Sequence, residues 1–172
     1  MRSLSIAACL AATLLPAMAQ TPAPKVPACT AAEHRQFDFW IGRWTVFMPD
    51  GKKAGENLIE AVEGGCVLQE RWRGNGGFSG TSLNNWSTDT KQWHQHWVDN
   101  QGGLLRLSGG LDGARMVLAS NGPNPKKPGS TLRQRITWTP LADGAVRQHW
   151  EQSEDEGATW ATAFDGRYVR QR

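Results

Sequence analysis

The chain has 172 residues with 39% hydrophobic content, the size of one domain with enough apolar mass for a core. Its 19 basic and 16 acidic residues leave a net charge of +3. Tight basic clusters such as Lys126-Lys127 and Arg133/Arg135 are short, so no polybasic tract or recognition motif points to nucleic acid.

The first segment reads as an export signal. Arg2 precedes an apolar run from Ile6 to Leu15, broken at Pro16, and Ala17-Met18-Ala19 forms an A-x-A cleavage site. Residues 1–19 are therefore expected to be removed, which places the mature protein in the periplasm or outside the cell. The run is too short for stable membrane insertion, and Cys9 lies too near the start to serve as a lipid anchor. Residues 20–29 carry Pro22, Pro24 and Pro27 and read as a flexible leader. The domain is expected over 30–172. Two cysteines remain after cleavage, Cys29 and Cys66. In an oxidising compartment they read as one disulfide, with two free thiols as the alternative. No second pair of ligands at zinc-finger spacing accompanies them.

Thr30 followed by Glu33 has capping-box spacing and predicts a short helix running toward Phe39-Trp40-Ile41, stopped by Gly42. From Trp44 onward the pattern is β. Alternation predicts strands at 43–48, 55–63, 66–73, 78–86, 91–99, 103–109, 113–119, 131–139, 144–152 and 160–170. Asp50-Gly51, Gly64-Gly65, Asp112-Gly113 and Asp143-Gly144 supply hairpin-turn chemistry between them. Ser120 to Gly129 reads as the one long loop. Gly80, Gly109 and Gly110 fall inside strands and are read as bulges or sharp bends. About ten short strands in sequential hairpins predict an all-β fold. An antiparallel up-and-down β-barrel is the simplest form, because closure removes exposed edges; a β-sandwich is the alternative.

Strand alternation then assigns an interior. In 66–73, Cys66, Leu68, Glu70 and Trp72 share a face, opposite Val67, Gln69, Arg71 and Arg73. In 91–99 the shared set is Trp93, Gln95 and Trp97. In 144–152 it is Val146, Gln148 and Trp150. The predicted ligand-binding set is therefore Glu70, Trp72, Trp93, Gln95, Trp97, Gln148 and Trp150. A purely structural core avoids a glutamate and two glutamines, since unpaired buried polar groups cost several kcal/mol, whereas a ligand cavity accepts them. A filled barrel, with polar groups satisfying one another, is the competing reading.

Other motifs carry less. His94 and His96 share one strand face at metal-site spacing but lack a third ligand, and read as two solvated histidines. Asp38, Glu70, Asp99, Glu151 and Asp165 are carboxylates a hydrolase could use, but no spacing selects a facing pair. No nucleophile elbow, phosphate loop or dinucleotide fingerprint is present, so no catalytic residue or cofactor is assigned. Ser153-x-Asp155-x-Gly157-x-Thr159-Trp160 resembles the Asp-box hairpin of sialidase-type propellers, where it is structural. Ser87-x-Asp89-x-Lys91-x-Trp93 is a degraded echo. Both are read as turns.

Phe37 to Val46, Gly65 to Trp72, Trp93 to Asp99, Val146 to Glu151 and Phe164 to Tyr168 together resemble a family of secreted bacterial domains of unknown function with a lipocalin-like barrel. The resemblance covers nearly the whole mature chain and implies the fold rather than an activity. Gly42-x-Trp44 is also similar to the unit that closes one barrel end in lipocalins and calycins. By that likeness Trp44 plugs the barrel with Arg167 or Arg170 stacked over it. Haem-binding relatives use a late histidine, for which only His149 is available. The expected partner is an unidentified small, partly apolar molecule. The alternatives are a small periplasmic hydrolase and an envelope protein-interaction module with a filled barrel.

Overall fold

The computed structural model describes residues 29–172. The expected export signal and residues 20–28 of the leader lie outside the described residues. Ten strands follow a short leading segment: β1 (Gly42–Phe47), β2 (Lys53–Val62), β3 (Val67–Gly74), β4 (Ser79–Ser87), β5 (Gln92–Asp99), β6 (Leu104–Asp112), β7 (Arg115–Pro123), β8 (Thr131–Pro140), β9 (Val146–Ser153) and β10 (Ala161–Arg170). Each pairs antiparallel with its neighbours in sequence, and β10 closes on β1 through Trp44↔Arg170 to Phe47↔Arg167. The fold is a closed up-and-down barrel, not a sandwich.

Every predicted strand exists, and two local readings are corrected. The predicted loop at Ser120 is still strand: Asn121, Gly122 and Pro123 pair with Arg133, Leu132 and Thr131. Cross-strand pairing overrides the weak β-propensity of Ser-Asn-Gly, and Asn124 makes the turn, its side-chain oxygen accepting from the Lys126 amide at 2.9 Å. Register is unbroken at Gly80, Gly109 and Gly110; the irregularities lie at Val46/Phe47 and Thr162/Phe164. Gly80 serves a different purpose. A Cβ there would come within 2.2 Å of the Trp97 ring, so the missing side chain leaves the ring room to lie across β4.

The predicted helix is two consecutive 3-10 turns, Ala32–Arg35 and Asp38–Trp40. The N-cap position is Ala31, one residue after Thr30, and Glu33 lies in the first turn. Tertiary packing holds the segment in place. Phe37 and Trp40 are fully buried and stack at 4.9 Å. Phe37 meets the edges of Trp93 and Trp138 at 5.6 and 5.1 Å. The Trp44 indole N–H donates to the Trp40 carbonyl at 2.9 Å. Arg170, not Arg167, stacks over Trp44, at 4.3 Å, and donates to the Ile41 carbonyl at 2.9 Å; Arg167 pairs with Asp143. The Cys29–Cys66 disulfide ties the start of this plug to the residue before β3.

The Ser153 motif is a braced hairpin between β9 and β10. Asp155 accepts from the Thr159 amide at 2.8 Å and its hydroxyl at 2.6 Å, while the Ser153 hydroxyl oxygen accepts from the Gly157 amide at 2.8 Å. The two Thr159 bonds, with one from the Ser153 hydroxyl, lower the Asp155 carboxyl pKa to about 2. In the echo before β5, Lys91 takes the left-handed conformation, with φ of 54°.

Candidate functional site

Along the barrel axis the interior has three levels. The plugged end is filled by Phe37, Trp40, Trp44, Trp93 and Trp138. The opposite end, ringed by the β3–β4, β5–β6, β7–β8 and β9–β10 hairpins, opens into a cavity of about 860 Å³. A belt of hydrogen-bonded polar side chains separates the two.

Register builds the belt. Glu70 on β3 lies directly opposite Ser82 on β4, and Asn84 lies opposite Gln95 on β5. All four point inward and are buried, as is Asn57 on β2. The Ser82 hydroxyl donates to Glu70 Oε2 at 2.6 Å, and Asn57 Nδ2 donates to Oε1 at 2.7 Å. Asn84 Nδ2 donates to the Leu68 carbonyl at 3.0 Å and to Ser82 Oγ at 2.9 Å. Gln95 Nε2 donates to Asn84 Oδ1 at 2.9 Å. Across the barrel, Tyr168 on β10 donates its hydroxyl proton to Gln148 Oε1 on β9. Burial pushes the Glu70 carboxyl up from the usual carboxylate range, with the Ser82 and Asn57 hydrogen bonds holding it back. Burial, reinforced by Glu70, pushes the Tyr168 phenol well above its ordinary value. Tyr168 is thus a neutral donor throughout the physiological range.

Above the belt the walls are aromatic. Trp72 meets Phe164 edge-on at 6.2 Å, and Trp97 leans on Phe78 at 6.3 Å. The Trp97 indole donates to Asp99 at 3.2 Å. The Trp150 indole N–H is buried and finds no partner among the described residues. Trp72, Trp97 and Trp150 are each only partly buried, in contrast to the plug.

Of the seven residues predicted to bind ligand, Glu70, Trp72, Gln95, Trp97, Gln148 and Trp150 line this cavity. Trp93 does not. It is 1% exposed, packs on Phe37 and donates to the Glu33 carbonyl and Gln36 Oε1 at 3.2 Å. Alternation placed it on the correct face; position along the strand put it below the belt. Sequence reasoning missed Asn57, Ser82, Asn84 and Tyr168. Their signal was available, since each is polar at an inward position of a predicted strand.

The other candidate chemistry is scattered. Glu151 and Asp165 pair with Arg135 and Arg147. Asp38 pairs with Arg35 beside the plug. Asp99 lines the rim, but its oxygens accept from the Gln101 and Gly103 amides and from Trp97. His94 contacts Thr90 and His149 contacts Thr162, on strand faces opposite Trp93 and Gln148. Among the described residues no three His, Cys, Asp or Glu side chains gather as a metal site, and no helix is long and apolar enough to cross a membrane. Set against models of known protein families and against curated proteins, the chain matches none of them.

Proposed function

We propose that this protein is an exported, non-catalytic binding barrel of lipocalin-like kinship that takes a small, partly apolar molecule into its open end. The observation that carries the reading is the cavity of about 860 Å³, walled by partly bare indoles above a polar floor. Its size and its few convergent polar groups match those of small-molecule sites. A barrel needing only stability would fill this end as the plug fills the other. Location in the periplasm or outside the cell is supported by the Cys29–Cys66 disulfide, since such bonds persist in oxidising compartments, and by the signal pattern of residues 1–19.

Titration with N-phenyl-1-naphthylamine, a neutral fluorophore that brightens in apolar surroundings, tests the cavity. One probe per chain, with falling tryptophan emission, is the expected result. Absence of probe binding, together with protein from its native envelope carrying no small molecule in native mass spectrometry, would refute the reading.

A further inference from the structure

The belt has a polarity that its hydrogen bonds determine step by step. The Leu68 carbonyl can only accept, so it fixes the Asn84 amide with Nδ2 toward it, at 3.0 Å. The second Nδ2 proton then goes to Ser82 Oγ at 2.9 Å, and Gln95 Nε2 also faces that oxygen at 3.5 Å. With donors arriving, Ser82 sends its own proton to Glu70 Oε2 at 2.6 Å. Asn57 Nδ2 donates to the other oxygen at 2.7 Å. Both Glu70 oxygens are therefore acceptors, the arrangement that suits a carboxylate anion. Yet Glu70 is 4% exposed. The side chains facing it are Asn57 from β2, Ser82 from β4 and Tyr168 from β10, and none is cationic. Buried carboxylates ordinarily have a cationic partner. Among the described residues Glu70 has no such partner.

Glu70 lines the cavity beside Trp72, Trp97 and Trp150. Indole faces attract cations through the ring quadrupole. The remaining charged residues at the cavity, Asp99, Glu154, Arg106 and Lys126, stand at the rim, two of each sign, and give no bias. Among the described residues the only charged side chain at depth in the cavity is that of Glu70. Resting on the binding role proposed above, we infer that the ligand is an organic cation, an amine on a compact apolar body, seated with its nitrogen at Glu70 and its body between the tryptophans. The ligand supplies the counter-charge that the protein omits.

The inference predicts linkage to protons. Burial raises the Glu70 carboxyl in the free protein, and an ammonium favours the ionised form. Affinity for the cation is therefore full above the raised value and falls about tenfold per pH unit below it, while affinity for a neutral molecule stays constant. Tyr168, the titratable group nearest Glu70, stays protonated throughout that range.

The test is calorimetric titration of the disulfide-bonded protein with three probes sharing one cage: 1-adamantylammonium, 1-adamantanol and adamantane-1-carboxylate. The ammonium is expected to bind at least tenfold tighter than the alcohol, and the carboxylate more weakly than the alcohol. On lowering the pH the ammonium's advantage should vanish with measurable proton release on binding, in buffers of different ionisation enthalpy. Glu70→Gln should bring ammonium and alcohol within about twofold. The proton-release measurement uses the unmodified protein and stands even if that variant does not fold. Equal binding of ammonium and alcohol, preference for the carboxylate, or no binding of any of the three overturns the cation assignment. So does a cation preference that survives Glu70→Gln. The neutral fluorophore titration judges the cavity separately, so the two failures are distinguishable.

Discussion

The two ends of this barrel use the same residue type to opposite effect. At the plugged end Trp40, Trp44, Trp93 and Trp138 are each at most 1% exposed and pack on one another and on Phe37. At the open end Trp72, Trp97 and Trp150 stand partly bare around a cavity. The indoles are alike; the difference lies in what covers them. A leading segment of two 3-10 turns drops Phe37 and Trp40 into one end, and no described segment does so at the other. Tryptophan content therefore says nothing of function until the covering element is located. The belt of Asn57, Glu70, Ser82, Asn84 and Gln95 marks where a close-packed core stops and a polar floor begins.

This contrast can be broken from either side. The largest effect is expected at the plug: Trp40→Ala removes a fully buried indole and should cost about 3–5 kcal/mol of unfolding free energy in chemical denaturation. A cost below roughly 1 kcal/mol would mean that the segment is not part of the core. Next comes the tether. The disulfide spans a sequence separation of 37 residues, and replacing both cysteines by serine should lower stability by ~2–4 kcal/mol through the added freedom of the unfolded chain. The smallest stability effect belongs to the open end. Trp97→Ala should cost only roughly 1–2 kcal/mol, because its ring is already partly in water, yet it should weaken N-phenyl-1-naphthylamine binding several-fold. A Trp97→Ala protein as unstable as Trp40→Ala, with the probe still bound at full affinity, would erase the distinction between the two ends.

How far the site was legible depended on depth rather than face. Period-two alternation put Glu70, Trp72, Gln95, Trp97, Gln148 and Trp150 on the inner wall, because successive side chains on a strand must point oppositely. The same rule put Trp93 there too, but it could not say that Trp93 lies under the leading segment. Ser82 directly opposite Glu70 is a matter of register, which hairpin turns set to within a residue or two only once the strand ends are known. Thr30 and Glu33 place the start of the short helix, but the burial of Phe37 and Trp40 against the barrel end is a tertiary matter. Glycine inside β4 fits a bulge or a sharp bend by local pattern; register is unbroken there, and the missing side chain makes room for a ring on the next strand. In each case a local pattern was correct in kind and a non-local contact decided its use.

By itself the sequence determined the ten alternating strands, the hairpin turns between them and the inward faces, because these follow from backbone periodicity and turn chemistry; for Cys29 and Cys66 it offered a disulfide or two free thiols, and the structure pairs them. Only the tertiary structure decided which end of the barrel is filled, which tryptophans remain partly bare and which carboxyl sits at depth without a cation. Those properties depend on where the leading segment docks and how ten strands stagger as they close, and both are sums of contacts between residues far apart in the chain.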